Sequence, residues 1–162
     1  MIIRTAIKTD IPAINRLANT IWKNTYREIL SASQIEFMLN DMYSLESLSE
    51  QFDQDVHFLL AEKEEQAVAF ASYSLVESNP AVYKIHKLYI LPQEQGKGTG
   101  KKLLNYIREE IIDRAGEIME LNVNRANPAL EFYKKYGFSI VKEVDIPYHT
   151  FFLNDYIMRM PV

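Results

Sequence analysis

Apolar positions along the chain follow two rhythms, and the switches between them mark out the elements. Residues 2–6 read as a short strand. Ile14, Leu17, Ala18, Ile21 and Trp22 then repeat at helical spacing, with Asp10 placed to cap that helix. A second helical region runs through residues 34–40 and 45–52. Residues 56–62 and 67–76 are apolar runs on either side of the polar turn Lys63-Glu64-Glu65-Gln66, which predicts an antiparallel hairpin. Residues 82–91 form a longer strand that Pro92 stops. Helical spacing returns at Leu103, Leu104, Ile107, Ile111 and Ile112, a buried side that Gly116 brings to an end. Residues 118–123 read as a strand. Asn127 as cap, Pro128 at the first helical position and Gly137 past the end delimit a short helix. Residues 138–144 and 150–159 supply the last two strands. The alternation predicts a mixed α/β chain. With no linker, repeat or low-complexity stretch, it predicts one domain over residues 1–162.

Glycine is scarce in this pattern, and its placement carries chemistry. Three of the five glycines stand at 96, 98 and 100, between the strand run ending near Leu91 and the helix that starts near Leu103. A strand, a glycine-rich turn and a helix start make an anion cradle. Backbone N–H groups point outward, no Cβ blocks a close approach, and the helix N-terminus favours negative charge. Lys97, Lys101 and Lys102 oppose the helix dipole there, which fits a bound phosphate. Two common nucleotide loops do not fit. A Walker A loop needs glycine at 95 and Ser or Thr at 102, where this chain has Gln95 and Lys102. The dinucleotide fingerprint needs a third glycine at 101 or 103, where Lys101 and Leu103 stand.

Composition narrows the classes further. A chain of 162 residues, 48% hydrophobic and 25% charged, can bury a sizeable core. It has no cysteine, so disulfides, thiolate metal sites and a cysteine nucleophile are excluded. His57, His86 and His149 are scattered and predict no metal site. No apolar run approaches the roughly 18 residues of a membrane span, and no signal-peptide pattern opens the chain. Cytoplasmic residence without membrane contact is therefore expected. A formal net charge of −4 and the lack of a basic stripe weigh against a nucleic-acid partner.

What does fit the loop is Gln95-x-x-Gly98-x-Gly100, after Leu88-Tyr89-Ile90-Leu91-Pro92 and before a helix. It resembles the pyrophosphate loop of the GNAT superfamily of acyl-CoA-dependent N-acetyltransferases. A second block, Asn127-Pro128-Ala129-Leu130-Glu131-Phe132-Tyr133-Lys134-Lys135-Tyr136-Gly137-Phe138, is similar to that family's N-x-A…FY-x-x-x-GF segment. The element order resembles the family's along the whole chain. The resemblance implies a GNAT fold: a mostly antiparallel sheet of about seven strands with a splayed parallel pair, flanked by roughly four helices. It implies acetyl-CoA as co-substrate. Gln95, Gly96, Lys97, Gly98, Thr99, Gly100 and Lys101 would cradle its pyrophosphate. Leu88, Tyr89 and Ile90 would hold the pantetheine arm through their backbone, and Asn127 would add a contact. Tyr133 would protonate the departing thiolate.

The base that frees the amine is less plain, because the strand before the loop offers Lys84, His86 and Lys87 where a glutamate is common in the family. His86 shares strand parity with Leu88 and Ile90 and titrates near neutrality, so it is the candidate. The resemblance places the acceptor against the first two helices and the final hairpin. Trp22, Tyr26 and Tyr148 are the main candidates there, with Glu28, Asp41, Tyr43 and Tyr156 beside them. Aromatics and carboxylates suit a cationic amine. The stretches at 21–26 and 155–158 also look like bacterial PaiA-type polyamine acetyltransferases. A polyamine therefore ranks first, with aminoglycosides, amino acids and protein amines open. Without a cysteine, direct transfer in a ternary complex is expected. The rival reading is a non-catalytic acyl-CoA sensor or scaffold. An edge strand near the C-terminus offers a surface for a homodimer.

Overall fold

The computed structural model describes all 162 residues. A strand β1 (Ile2–Thr5) leads into three helices, α1 (Ile11–Thr25), α2 (Ala32–Tyr43) and α3 (Leu45–Asp53). Strands β2 (His57–Lys63), β3 (Gln66–Ser78) and β4 (Ala81–Ile90) follow, then helix α4 (Thr99–Asp113). The chain closes with β5 (Ile118–Asn124), α5 (Ala129–Tyr136), β6 (Ser139–Tyr148) and β7 (Phe151–Pro161). All seven strands form one sheet in the order β1-β2-β3-β4-β5-β7-β6. Only β4 and β5 run parallel. No helix is long and apolar enough to cross a membrane.

Each face of the sheet has its own core. Leu103, Leu104, Ile107 and Ile111 of α4 are fully buried against Tyr73, Tyr83, Ile85 and Met119. Burial of such side chains contributes about 1.5–3 kcal/mol each. On the opposite face Ile14, Ala18, Ile21 and Trp22 of α1 pack with Tyr43, Leu48, Phe58 and Phe70.

The expected sheet and its single parallel pair are present, and local details depart from expectation for physical reasons. The second helical region is two helices, which makes five in all. Ser44 at φ −61°, ψ 156° breaks the helix, and its Oγ accepts from the Ser47 N–H at 3.1 Å to start α3. Asp10 precedes α1 without capping it, because Arg4 holds its carboxylate through two 2.9 Å hydrogen bonds. Ile112 is half exposed rather than buried, since Ile107 and Ile111 already fill that side of α4. At the end of α4 the left-handed residue is Ala115, with φ 57°. Gly116 is needed for a close approach instead: a Cβ there would lie 2.3 Å from Ile111 Cγ2. Helix α5 begins at Ala129, one residue later than expected, with Pro128 before it.

The feature that shapes the site is where the parallel pair stops. Partners run from Val82–Ile118 to Ile85–Leu121 and end there, although both strands continue. At this point β4 also carries a bulge. Tyr73 pairs with Ile85 and Ser72 with Lys87, leaving His86 as the extra residue. The bulge resets the alternation of β4. Ile85, Leu88 and Ile90 therefore pack with the α4 core, and Tyr89 packs with the α1–α3 core. This corrects the expected common face of His86, Leu88 and Ile90. His86 turns away to Ser74, whose Oγ lies 2.7 Å from its Nε2.

Candidate active site

Where β4 and β5 part, a cleft of about 800 Å³ opens. Its walls are the free end of β4, the glycine loop, the first turn of α4, the start of α5 and the C-terminal end of α1. On this flank β4 has lost its partner strand, so its backbone groups face the cleft instead of a ladder. That is the arrangement expected for residues 88–90.

The loop is built to receive an anion. Gly96 and Gly98 have φ 75° and 83°, and nothing lies within 4 Å of where either Cβ would be. Gly98 is the N-cap of α4, and Lys102 is the first residue to donate back to it, at 3.1 Å. The N–H groups of Thr99, Gly100 and Lys101 are thus left free at the positive end of the helix. Thr99 Oγ1 is buried without a partner. Gly100 serves packing, since a Cβ there would meet Phe132 Cζ at 3.0 Å and Ile90 Cδ1 at 3.2 Å. Gln95 folds back to donate to the Ile90 carbonyl at 3.1 Å, closing the end of β4. An open cradle, an orphaned hydroxyl and free helix N–H groups together fit a pyrophosphate.

Leu88, Tyr89, Ile90, Gln95, Gly96, Gly98, Thr99, Gly100, Lys101, Asn127 and Tyr133 all line the cleft. Lys97 does not, and its Nζ bonds Glu94 at 3.3 Å. Asn127 is not the expected N-cap of α5, since Pro128 takes that position; its Oδ1 accepts from the Ala129 N–H at 2.9 Å in a turn just before the helix, and the residue stays on the wall. Tyr133 is 9% exposed and packs edge-on against Phe138. Burial, with the neighbouring Tyr26 phenol, pushes its pKa well up, and its hydroxyl has no protein partner. It is therefore a fully protonated O–H at the cleft.

Among the acceptor candidates Tyr26 lines the cleft, and its hydroxyl lies 3.2 Å from that of Tyr89. Trp22 lies behind, its ring 4.5 Å from Tyr26 and 5.7 Å from Tyr89, and Tyr43 is core. Tyr148 sits at the tip of the β6–β7 hairpin, bonded to Asp41 of α2, outside the lining. Tyr156 packs on the α4 side of the sheet. His86 does line the cleft and its side chain reaches solvent; partial desolvation, then Lys87 and Lys84, bring its pKa down to about 4. Three residues were missed in the sequence. Asn122 lines the cleft from β5. Lys87 buries an ammonium under α3, bonding Gln51 at 2.7 Å. Asp155 lies on β7, opposite Asn124. The available signal was a polar residue on an otherwise apolar strand face, as in Leu153-x-Asp155-x-Ile157.

Comparison with known proteins decides the family. Residues 26–146 match the family described as an acetyltransferase (GNAT) domain. This chain is a GNAT acetyltransferase. As such it is an N-acetyltransferase that takes its acetyl group from acetyl-CoA. The GNAT chain is 32% identical over 139 residues to Spermidine N(1)-acetyltransferase of Thermoplasma acidophilum, covering 81% of this chain and 83% of that one. Its fold superposes on the crystal structure of the PaiA N-acetyltransferase from Thermoplasma acidophilum in complex with coenzyme A. The TM-score is 0.87 at 25% identity, over 99% of this chain and 98% of that one. The ribosomal-protein-S18-alanine N-acetyltransferase of Escherichia coli shares the fold, with TM-score 0.75, 18% identity, and 99% and 92% coverage. Its acceptor differs by name, so fold alone does not select the amine.

Proposed function

We propose that this GNAT enzyme acetylates a primary amine of a polyamine by direct attack in a ternary complex, with Tyr133 serving the leaving thiolate. The observation that carries the reading is the cleft itself, which brings the glycine cradle, the unpaired edge of β4 and the Tyr133 hydroxyl into one lining. Similarity to a spermidine acetyltransferase supports the acceptor class. The pyrophosphate would lie on Gly96–Lys101, and the thioester would lie along residues 88–90.

In the transfer, the neutral amine attacks the thioester carbon, the C–S bond breaks, and the nitrogen sheds a proton. A backbone N–H of the free β4 edge stabilises the carbonyl oxygen as it gains charge. Tyr133 is a weaker acid than a thiol, whose ordinary pKa is roughly 8.5. It therefore donates a hydrogen bond to the departing sulfur, and the proton lost by nitrogen completes the thiol. His86, brought down to about 4, is a poor base for an ammonium, so water in the cleft carries the proton from the nitrogen to the departing sulfur. A homodimer would pair through β6, the edge strand whose Ile140 and Val141 are exposed.

The lack of any carboxylate on β4 favours a second reading, an acyl-CoA sensor. One assay separates the two: release of free CoA from acetyl-CoA, read with a thiol reagent, across spermidine, spermine, aminoglycosides, amino acids and short peptides. Saturable release with a polyamine is the expected result. Saturable acetyl-CoA binding with no release above buffer for any amine would sink the transferase and leave the sensor.

A further inference from the structure

Beside Tyr26 the cleft wall carries Asn122, whose side-chain oxygen the protein does not satisfy, and Asp155 lies next to it on β7, behind the lining. Asn122 follows Leu121, where β4 and β5 cease to pair, and its Oδ1 is buried without a donor. Its amide nitrogen is turned to Asp155, which lies on the same face of the sheet two β5 positions along, opposite Asn124. Asp155 is partly buried and has no ion pair. The guanidinium of Arg125 is engaged by Glu143 and Asp145 instead. Tyr26 lines the same cleft as Asn122, with Trp22 and Tyr89 packed behind it.

A carboxylate out of water without a cation is costly, and so is a buried amide oxygen without a donor. Burial accordingly raises the Asp155 carboxyl, with Asn122, Lys84 and Arg125 working the other way. An ammonium group carries three N–H donors and one positive charge, which answers both deficits at once. An aromatic wall beside it adds a cation–π contact. A neutral ligand would satisfy Asn122 and leave the Asp155 charge unmatched. An anion would be repelled.

We propose that Asp155 and Asn122 Oδ1 form a subsite for a charged ammonium of the acceptor, holding one nitrogen of a polyamine while another, neutral nitrogen attacks the thioester. This rests on the acetyltransferase reading above and makes Asp155 a specificity residue within it.

The test is Asp155→Asn, with Asp155→Ser as a second neutral variant should the amide be poorly tolerated. Spermidine binding to the CoA complex is measured by calorimetry, and kcat and KM are measured for spermidine and for n-butylamine, which has no second nitrogen. Losing one charge-assisted contact should weaken spermidine binding by about ten- to hundredfold. The spermidine-to-n-butylamine ratio of kcat/KM should fall similarly, through KM rather than kcat, and CoA affinity should stay within about twofold. Unchanged spermidine affinity in a folded variant overturns the subsite. So does a loss confined to kcat, which would make Asp155 a base, or parallel losses of CoA affinity and melting temperature in both variants, which would make it structural. If the wild type binds CoA but acetylates no amine, the transferase reading falls, and calorimetry with spermidine still decides the subsite.

Discussion

At the scale of single residues, two side chains concentrate the chemistry and the stress of this molecule. Tyr133 presents an unpartnered O–H that burial keeps protonated. Tyr133→Phe should lower kcat about 10²-fold, the usual worth of one hydrogen-bond donor to a developing charge. KM for acetyl-CoA should hardly change, and steady-state kinetics on the acceptor found first would show the split. Lys87 is the stressed group. It is 8% exposed, bonds Gln51, and lies 5.3 Å from the Tyr43 ring centroid with no carboxylate beside it. Burial lowers its pKa to about 8 from 10.5. A lysine lowered on folding binds its proton less well in the native state than in the unfolded state. The native state is therefore penalised below pH 8, and stability is regained as pH rises from 8 to 10.5. The full penalty is about 3 kcal/mol. Because Lys87→Met also loses the Gln51 bond, the expected gain at pH 7 is about 1–2 kcal/mol. Urea unfolding of both proteins at pH 7 and pH 10 would show the gap closing at high pH; a constant gap would mean that Lys87 is not desolvated. The sequence displayed Lys87 only as one of three basic residues in a strand. Its burial follows from the bulge at His86, which turns it inward, and no local pattern announces that.

Elements were legible to the degree that their signals are local. The glycine loop and α5 were readable because their caps, turns and spacings are set within a few residues. Gly98 has φ 83°, as that logic requires, and Asn127 bonds the Ala129 N–H one residue ahead of the position expected for a cap. The β4 bulge was not readable, because a bulge is a fact of pairing with β3, and parity counted along one strand misassigned His86. The break at Ser44 was within reach, since a serine followed by a helical run is a cap signal. The loop also supplies the prediction proper to this scale. Gly98→Ala puts a Cβ on a left-handed residue at the N-cap of α4, straining it by roughly 1 kcal/mol, and places a methyl in the open space proposed for the pyrophosphate. CoA affinity should fall more than about tenfold while the melting temperature drops only a few degrees. Calorimetry and a melting curve on the same sample separate the two effects. Equal CoA affinity would move the pyrophosphate elsewhere.

Across the whole molecule, the chain closes on itself from its two ends. The β6–β7 hairpin, last in sequence, reaches back to α2: His149 stacks on Phe37 at 4.3 Å, Phe151 and Tyr148 flank the same ring, and Tyr148 bonds Asp41. The proposed cradle for acetyl-CoA draws on β4, the loop, α4 and α5, whereas this clasp joins α2 to the β6–β7 hairpin, on the proposed acceptor side. On the proposed reading the two substrates are served by separate parts of the fold, and a lesion in one should leave the other's affinity in place. Phe37→Ala tests that separation. Phe37 does not line the cleft, and it is only partly buried, so its loss should cost the global fold about 1–2 kcal/mol rather than unfold it. The freed hairpin would no longer hold the acceptor wall in one position. KM for the amine should then rise about three- to tenfold while KM for acetyl-CoA stays within about twofold. A rise in both constants would mean that the clasp organises the whole cleft through β5 and β7, and a rise in neither would make the hairpin contact a matter of stability alone.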